Sequence, residues 1–155
     1  MEQQQVIEVI KKVFYEYDND KRRLAYILAT AKHECNLIPK EEKRAKVGTE
    51  LYKIQSRYWG WHGRGLVQLT WKSNYEKFSR ILGVDLVANP NLLITDLEIS
   101  AKTLVIGMLR GEFTGKKLSN YIGKKADYFN ARKTVNGLDR AALIAKYALE
   151  YVAIL

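Results

Sequence analysis

Apolar residues recur at three- and four-residue steps along most of this chain, the period of an amphipathic helix. Val6, Ile10, Val13 and Tyr17 mark the first helix, and the polar run Asp18-Asn19-Asp20 ends it. A second helix is predicted from about Arg22 to Asn36, with Leu24, Ile27, Leu28, Ala31 and Cys35 on one side. From Leu37 to Leu69 the period dissolves into an irregular lobe punctuated by Pro39, Gly48, Gly60, Gly63 and Gly65. Long irregular stretches in a small domain are often functional. Residues 66–70, "LVQLT", read as a short strand with Leu66, Gln68 and Thr70 on one face. "SNYEKFSRILG" is predicted helical, carries Tyr75, Phe78 and Ile81, and stops at Gly83 in the C′ position. Thr95 and Glu98 form a capping box for a helix facing the core through Leu97, Ala101, Leu104, Val105 and Met108. "DYFNARKTVNG" is predicted as a shorter helix halted at Asn136-Gly137. The last helix places Ala141, Ile144, Ala148, Tyr151 and Val152 on one side. No repeat, low-complexity tract or linker interrupts the pattern. The expectation is one mostly α domain over residues 1–155, with an irregular central lobe and at most a small β-hairpin.

Composition narrows the picture. A chain of 155 residues supports a sizeable core without staples. Cys35 is the sole cysteine, so no internal disulfide can form, and the redox compartment stays open. With only His33 and His62 as histidines, a structural zinc site is not expected. No run of 18 apolar residues occurs, so no membrane-spanning helix and no stable membrane insertion are expected. The start "MEQQQVIEVIKKVF" is acidic and polar where a signal peptide needs a basic start and an apolar core. Synthesis in the cytoplasm without an export tag is the corresponding expectation. The formal net charge of +9 fits an anionic partner, whether nucleic acid, membrane surface or cell-wall polymer, as well as a merely basic surface. The pairs Lys11-Lys12, Arg22-Arg23, Lys116-Lys117 and Lys124-Lys125 are scattered rather than gathered on one helix. No nucleic-acid motif accompanies them, so nucleic acid is not the expected partner.

Within this frame Glu34 stands out. It follows Ala31 by three residues and Ile27 by seven, and so shares their helical face. A carboxyl group at an apolar boundary loses hydration, which favours its protonated form. A proton donor to a leaving group needs that form. The plainer reading of the spacing is a surface glutamate near a frayed helix end. Metal binding by the His33-Glu34-Cys35 run would need a histidine where Leu37 stands. Acid/base cleavage of a glycosidic bond needs a second carboxylate, and Glu41, Glu42 and Glu50 are available. Glu41 and Glu42 lie among Lys40, Lys43 and Arg44, cations that favour an ionised carboxylate. Taken alone, that run also reads as a solvated stretch of charge.

The segment "YWGWHGRGLVQLTWKSNY" holds all three tryptophans, Trp59, Trp61 and Trp71. Planar aromatics in a loop stack on sugar rings or cover the edge of a core. Trp61 is the candidate for the sugar. Gln68, Thr70 and Asn74 offer amides and a hydroxyl for orienting a water or a substrate amide, or for capping the helix that follows.

The His33-Glu34 pair, "GRGLVQLTWKSNY" at 63–75 and "ARKTVNG" at 131–137 together resemble glycoside hydrolase family 19, most nearly its bacterial and phage endolysin branch. The likeness runs over about residues 22–150. It implies a lysozyme-like α+β fold and an inverting hydrolase of β-1,4-linked amino sugars, whose carboxyl groups stand far enough apart to admit a water. Residue by residue it implies Glu34 as general acid and Glu42, three after Pro39, as the base that activates water. Glu41 and Glu50 remain alternatives for the base. Gln68, Thr70 and Asn74 match positions that contact substrate and water, Asn136 a cleft asparagine and Arg140 a cleft-side arginine. Arg64, between two glycines, reads as a structural fork of donors. Cys35 stands where the family usually has threonine, and His62 where it has an aromatic residue. The resemblance implies no cofactor and no metal. The partner expected is bacterial cell-wall peptidoglycan rather than chitin, because the chain is basic, lacks an export signal and has no disulfide. A monomer released to the wall by a separate factor completes the expectation.

Overall fold

The computed structural model describes residues 1–155. In chain order its elements are α1 (Gln3–Tyr15), α2 (Lys21–Cys35), β1 (Lys40–Glu41), α3 (Glu50–Ser56), β2 (Arg64–Gly65), α4 (Lys72–Leu82), α5 (Leu92–Thr95), α6 (Leu97–Arg110) and α7 (Ala141–Ile154). Turns of 3₁₀ helix occupy Leu118–Asn120 and Asn130–Thr134. The fold is mostly α, as expected, and its sheet is a single antiparallel hairpin pairing Lys40 with Gly65 and Glu41 with Arg64.

Helix α2 is the axis of the molecule. The Asp20 side chain accepts a hydrogen bond from the Arg22 N–H at 2.9 Å and so caps it, and Asn36 closes it in the left-handed conformation. Every residue from Leu24 to Ala31 is fully buried. The expected single stripe is therefore a helix enclosed on all sides, as an apolar periphery requires. Helix α7 packs along it, and α1 packs along α6. A second, smaller cluster under α4 gathers Leu69, Tyr75, Phe78, Leu86 and Leu93. Phe113 packs against both clusters.

Four local expectations are corrected. The lobe between Glu42 and Tyr58 contains α3, started by the Thr49 hydroxyl accepting from the Tyr52 N–H at 3.2 Å. Its apolar residues Leu51 and Ile54 are exposed, so no hydrophobic period announces it. Residues 66–70 are not a strand. Arg64 and Leu69 exchange backbone hydrogen bonds of 3.2 and 3.0 Å around a tight loop, in which Gln68 adopts φ +57°. The loop requires Gly65 at φ +87°, where a Cβ would come within 2.8 Å of the Ser100 Oγ. The cap of α6 is Asp96, accepting from the Ile99 N–H at 3.1 Å, one residue later than the Thr95 box. Residues 127–137 form only the short 3₁₀ turn, because Asp127 draws both the backbone and side-chain N–H of Asn130 onto its own carboxylate, at 3.0 and 2.8 Å.

Candidate active site

Helix α2 delivers Glu34 in its last turn. Asn36 and Leu37 then take φ +52° and +61°, which ends the helix and turns the chain toward β1. The Glu34 side chain keeps 18% exposure, and its Oε1 accepts a hydrogen bond from Arg132 Nη1 at 3.2 Å. Arg132 is 3% exposed, and its Nε donates to the Asp139 carbonyl at 2.9 Å. Glu34 therefore does not face a purely apolar wall. It is paired with a buried, oriented guanidinium that receives the negative charge left when a proton departs. Arg132 went unassigned in the sequence, although it opens the R-x-x-V-N-G run whose asparagine was singled out.

Glu42 follows β1 and is held from three directions. Its Oε2 accepts from the Tyr58 hydroxyl at 2.6 Å and from Gln55 Nε2 at 2.8 Å, and its Oε1 accepts from the Gly63 N–H at 3.1 Å. Its own N–H donates to the Gly63 carbonyl at 2.7 Å, which locks it to the hairpin. A Cβ on residue 63 would lie 2.9 Å from Gln68 Oε1 and 3.3 Å from Glu42 Oε1, so glycine is what lets both side chains close over this strand. Burial alone would raise the Glu42 pKa. The donors Tyr58, Gln55 and Gly63, with His62 nearby, outweigh burial and hold it below the ordinary carboxylate value. Conversely, burial and the Glu42 carboxylate push the Tyr58 hydroxyl up to about 12.

Gln55, which the sequence did not flag, organises this side. It is 1% exposed, and its Nε2 donates to Glu42 and to the Lys43 carbonyl. Its Oε1 accepts from the Ala45 N–H and from Arg44 Nη1, so its full hydrogen-bonding capacity is used. Gln55→Leu keeps the volume and strands these partners. We expect a loss of about 1–3 kcal/mol and a fall of several degrees in Tm, read by thermal melting. Activity falls with it, because Glu42 loses a donor. The Glu42 shift has a sign that solution work can check. A carboxyl held below its value of about 4.5 in the unfolded chain adds stability above that pH. That stability is lost as pH falls through the folded-state value. Acid titration of the melting temperature is expected to show this loss in the native chain and much less of it in Glu42→Gln.

Glu41 lines the same cleft as Glu34 and Glu42 but has a different partner. Its Oε2 lies 2.9 Å from His62 Nε2, and its side chain is 56% exposed. Trp59 stacks on the His62 ring at 3.7 Å and 9°, so the histidine fills its aromatic position as a flat ring. Glu50 is exposed at the start of α3 and lines no part of the cleft.

A cleft of about 530 Å³ is lined by Glu34, Lys40, Glu41, Glu42, Lys43, Gly63, Gln68 and Thr70. Beyond Glu34 a second hollow of about 230 Å³ continues past Gln68 and Thr70 to Trp71, Asn74, Phe113 and Asn136. The two share Glu34, Gln68 and Thr70, so the groove runs past the acid on both sides. The structure brings Glu34, Glu42, Gln68, Thr70, Asn74 and Asn136 together. Gln68 donates both amide hydrogens to the carbonyls of Lys40 and Gly65, which fastens the hairpin and leaves only its oxygen for a substrate. Asn74 Nδ2 donates to the Thr70 carbonyl at 2.9 Å. Arg140 is exposed at the N-cap of α7 with φ +60° and lines neither hollow; the arginine that reaches a cleft side chain is the buried Arg132, through its hydrogen bond to Glu34. Trp61 also stands away from the groove. It packs on the α4 cluster and directs its Nε1 toward the Val87 carbonyl at 3.4 Å. The groove's tryptophan is Trp71, 47% exposed. Arg64 is structural as expected, donating to the Asn91 side chain, the Gly60 carbonyl and the Tyr75 hydroxyl.

The family model described as chitinase class I matches residues 41–117, which include Glu42, all of the hairpin but Lys40, and α4, but not Glu34. The acidic 27 kDa endochitinase of Solanum lycopersicum is 48% identical over 46 residues, 30% of this chain and 19% of that protein. Chitinase 1 of Oryza sativa subsp. japonica is 31% identical over 103 residues, 54% of this chain and 32% of that protein. The chain thus spans under a third of these relatives' length. Chitinase C from Streptomyces griseus HUT6037 shares the fold, with TM-score 0.69 at 22% identity over 93% of this chain and 78% of its own. The class I match covers about half of the chain and includes all but Lys40 of the hairpin that holds Glu42, and on that ground the chain belongs to glycoside hydrolase family 19.

Proposed function

We propose that this protein hydrolyses β-1,4 bonds between amino sugars, with Glu34 as general acid and Glu42 as general base, and that its polymer is peptidoglycan, as for an endolysin. One observation carries the reaction: two carboxyl groups, Glu34 and Glu42, line one cleft. The Glu34 Oε1 is occupied by Arg132, which leaves Oε2 to deliver a proton to the glycosidic oxygen. The charge that remains rests beside the guanidinium. The Glu42 Oε2 is saturated by Tyr58 and Gln55, while Oε1 accepts only from Gly63 and keeps a lone pair for a water proton. In this reading Thr70 and Asn74, which line the groove, hold substrate or water, and the exposed Trp71 stacks on a sugar ring.

Peptidoglycan is supported by the net charge of +9, which attracts an anionic wall. Chitin is the second reading, favoured by the relatives' names, endochitinase and chitinase. Release of reducing ends from purified peptidoglycan and from chitin separates the two. Cleavage of chitin alone rejects the wall substrate, and cleavage of neither rejects the hydrolase. Fresh product ends in the α configuration, read by proton NMR, support water activation by Glu42; β ends reject it.

A further inference from the structure

Two lysines in the cleft have no role in the scheme above. Lys40 and Lys43 are exposed, and both line the 530 Å³ hollow that holds Glu34 and Glu42. Neither takes part in any of the chain's ion pairs. Glu41, the exposed carboxylate between them in sequence, is directed to His62 instead. Glu42 is satisfied by Tyr58, Gln55 and Gly63, and Glu34 by Arg132. The acidic groups of the cleft thus already have partners, and the two ammonium groups are left over. Their backbones are anchored. The Lys40 carbonyl accepts from Gln68 Nε2 at 2.8 Å, and the Lys43 carbonyl from Gln55 Nε2 at 2.9 Å. Two cationic side chains on anchored backbone positions therefore line the cleft that holds Glu34 and Glu42, a hollow lined by no hydrophobic residue.

A polymer made only of N-acetylated sugars carries no charge for these groups to meet. A glycan with carboxylates on its sugar substituents does. We infer that Lys40 and Lys43 are specificity-determining residues that bind carboxylate substituents of the sugars beside the scissile bond, so that the cleft selects an anionic amino-sugar polymer over a neutral one. This rests on the hydrolase reading and names the substrate class at the same site. The competing role is general: lysines that only balance the cleft's carboxylates would affect all substrates alike when removed.

The test uses two soluble polymers with the same backbone, carboxymethyl-chitin and the neutral glycol-chitin, at equal chain length and substitution. The full chain is compared with the Lys40→Gln/Lys43→Gln variant, and kcat/KM is measured from 20 to 300 mM salt. We expect the native protein to prefer the carboxymethyl polymer, with a preference that shrinks as salt screens the charges. In the double variant the ratio of anionic to neutral rates falls roughly five- to tenfold, the size of two exposed charge contacts. A ratio that stays the same, whether both rates fall or neither does, overturns the inference. So does a native protein with no preference. If the native protein cleaves only peptidoglycan, the same variant must lose activity there together with part of the salt dependence, and unchanged values overturn the inference. Absence of cleavage of every glycan instead removes the hydrolase reading, so the two failures are told apart. A circular dichroism melt matching the native one confirms that the variant is folded.

Discussion

Glu34→Gln is expected to lower kcat by roughly 10²–10⁴-fold on whichever glycan is cleaved, with the far-UV circular dichroism unchanged. The amide keeps the shape of the side chain and still accepts from Arg132 Nη1, but it has no proton to give. The substitution also removes the counter-charge of an arginine that is 3% exposed. Leaving a buried cation unpaired costs stability. Tm should therefore fall by a few degrees while the assay temperature stays well below it. Because the loss is chemical, KM changes little and kcat carries the effect. Near-native kcat in a folded variant would reject Glu34 as the acid.

Glu42→Gln and Glu41→Gln form the second test, and the two should diverge sharply. Glu42→Gln is expected to cost a further roughly 10²–10⁴-fold of kcat when made alone in the native background, because the water loses its proton acceptor. It also disturbs part of the local bonding, since the amide nitrogen would face either the Tyr58 and Gln55 donors or the Gly63 N–H, each of which requires an acceptor. Glu41→Gln should stay within about tenfold of the native rate, because its carboxylate is exposed and engaged with His62. The pH profiles distinguish the roles further. The donors around Glu42 keep it ionised to lower pH than an ordinary glutamate, so the acidic limb of kcat/KM should lie below the usual glutamate range. An equal loss in both variants, or a larger one in Glu41→Gln, would reassign the base.

Much of this site is legible along the chain, for reasons particular residues make plain. Glu34 can be placed at the end of an apolar helix because α2 has the correct period and its caps, Asp20 and Asn36, are ordinary local signals. Gly83 and Gly111 end α4 and α6 as left-handed caps for the same local reason. Gln55 and Arg132 are different. Each matters through a partner distant in sequence: Gln55 reaches Glu42 across 13 residues, and Arg132 reaches Glu34 across 98. Trp61 and Trp71 lie ten residues apart in the same aromatic segment. Only packing decides that the first covers the α4 cluster and the second faces the groove. The 66–70 segment shows the reverse failure. Its alternating apolar and polar residues match a strand period, yet the cross-loop bonds between Arg64 and Leu69 bend it into a turn.

By itself, the order of residues determined the helical class, the ends of the main helices, the pair of candidate carboxylates and the glycines that allow the hairpin. Those are properties of short range, set by periodicity, capping and backbone freedom within a few positions. The tertiary structure decided which glutamate after Pro39 is held in the cleft by Tyr58 and Gln55, which arginine meets Glu34, which tryptophan meets the groove and which lysines are left without a partner. Such choices depend on hydrogen bonds and burial between groups far apart in the chain, and they exist only once the core has closed.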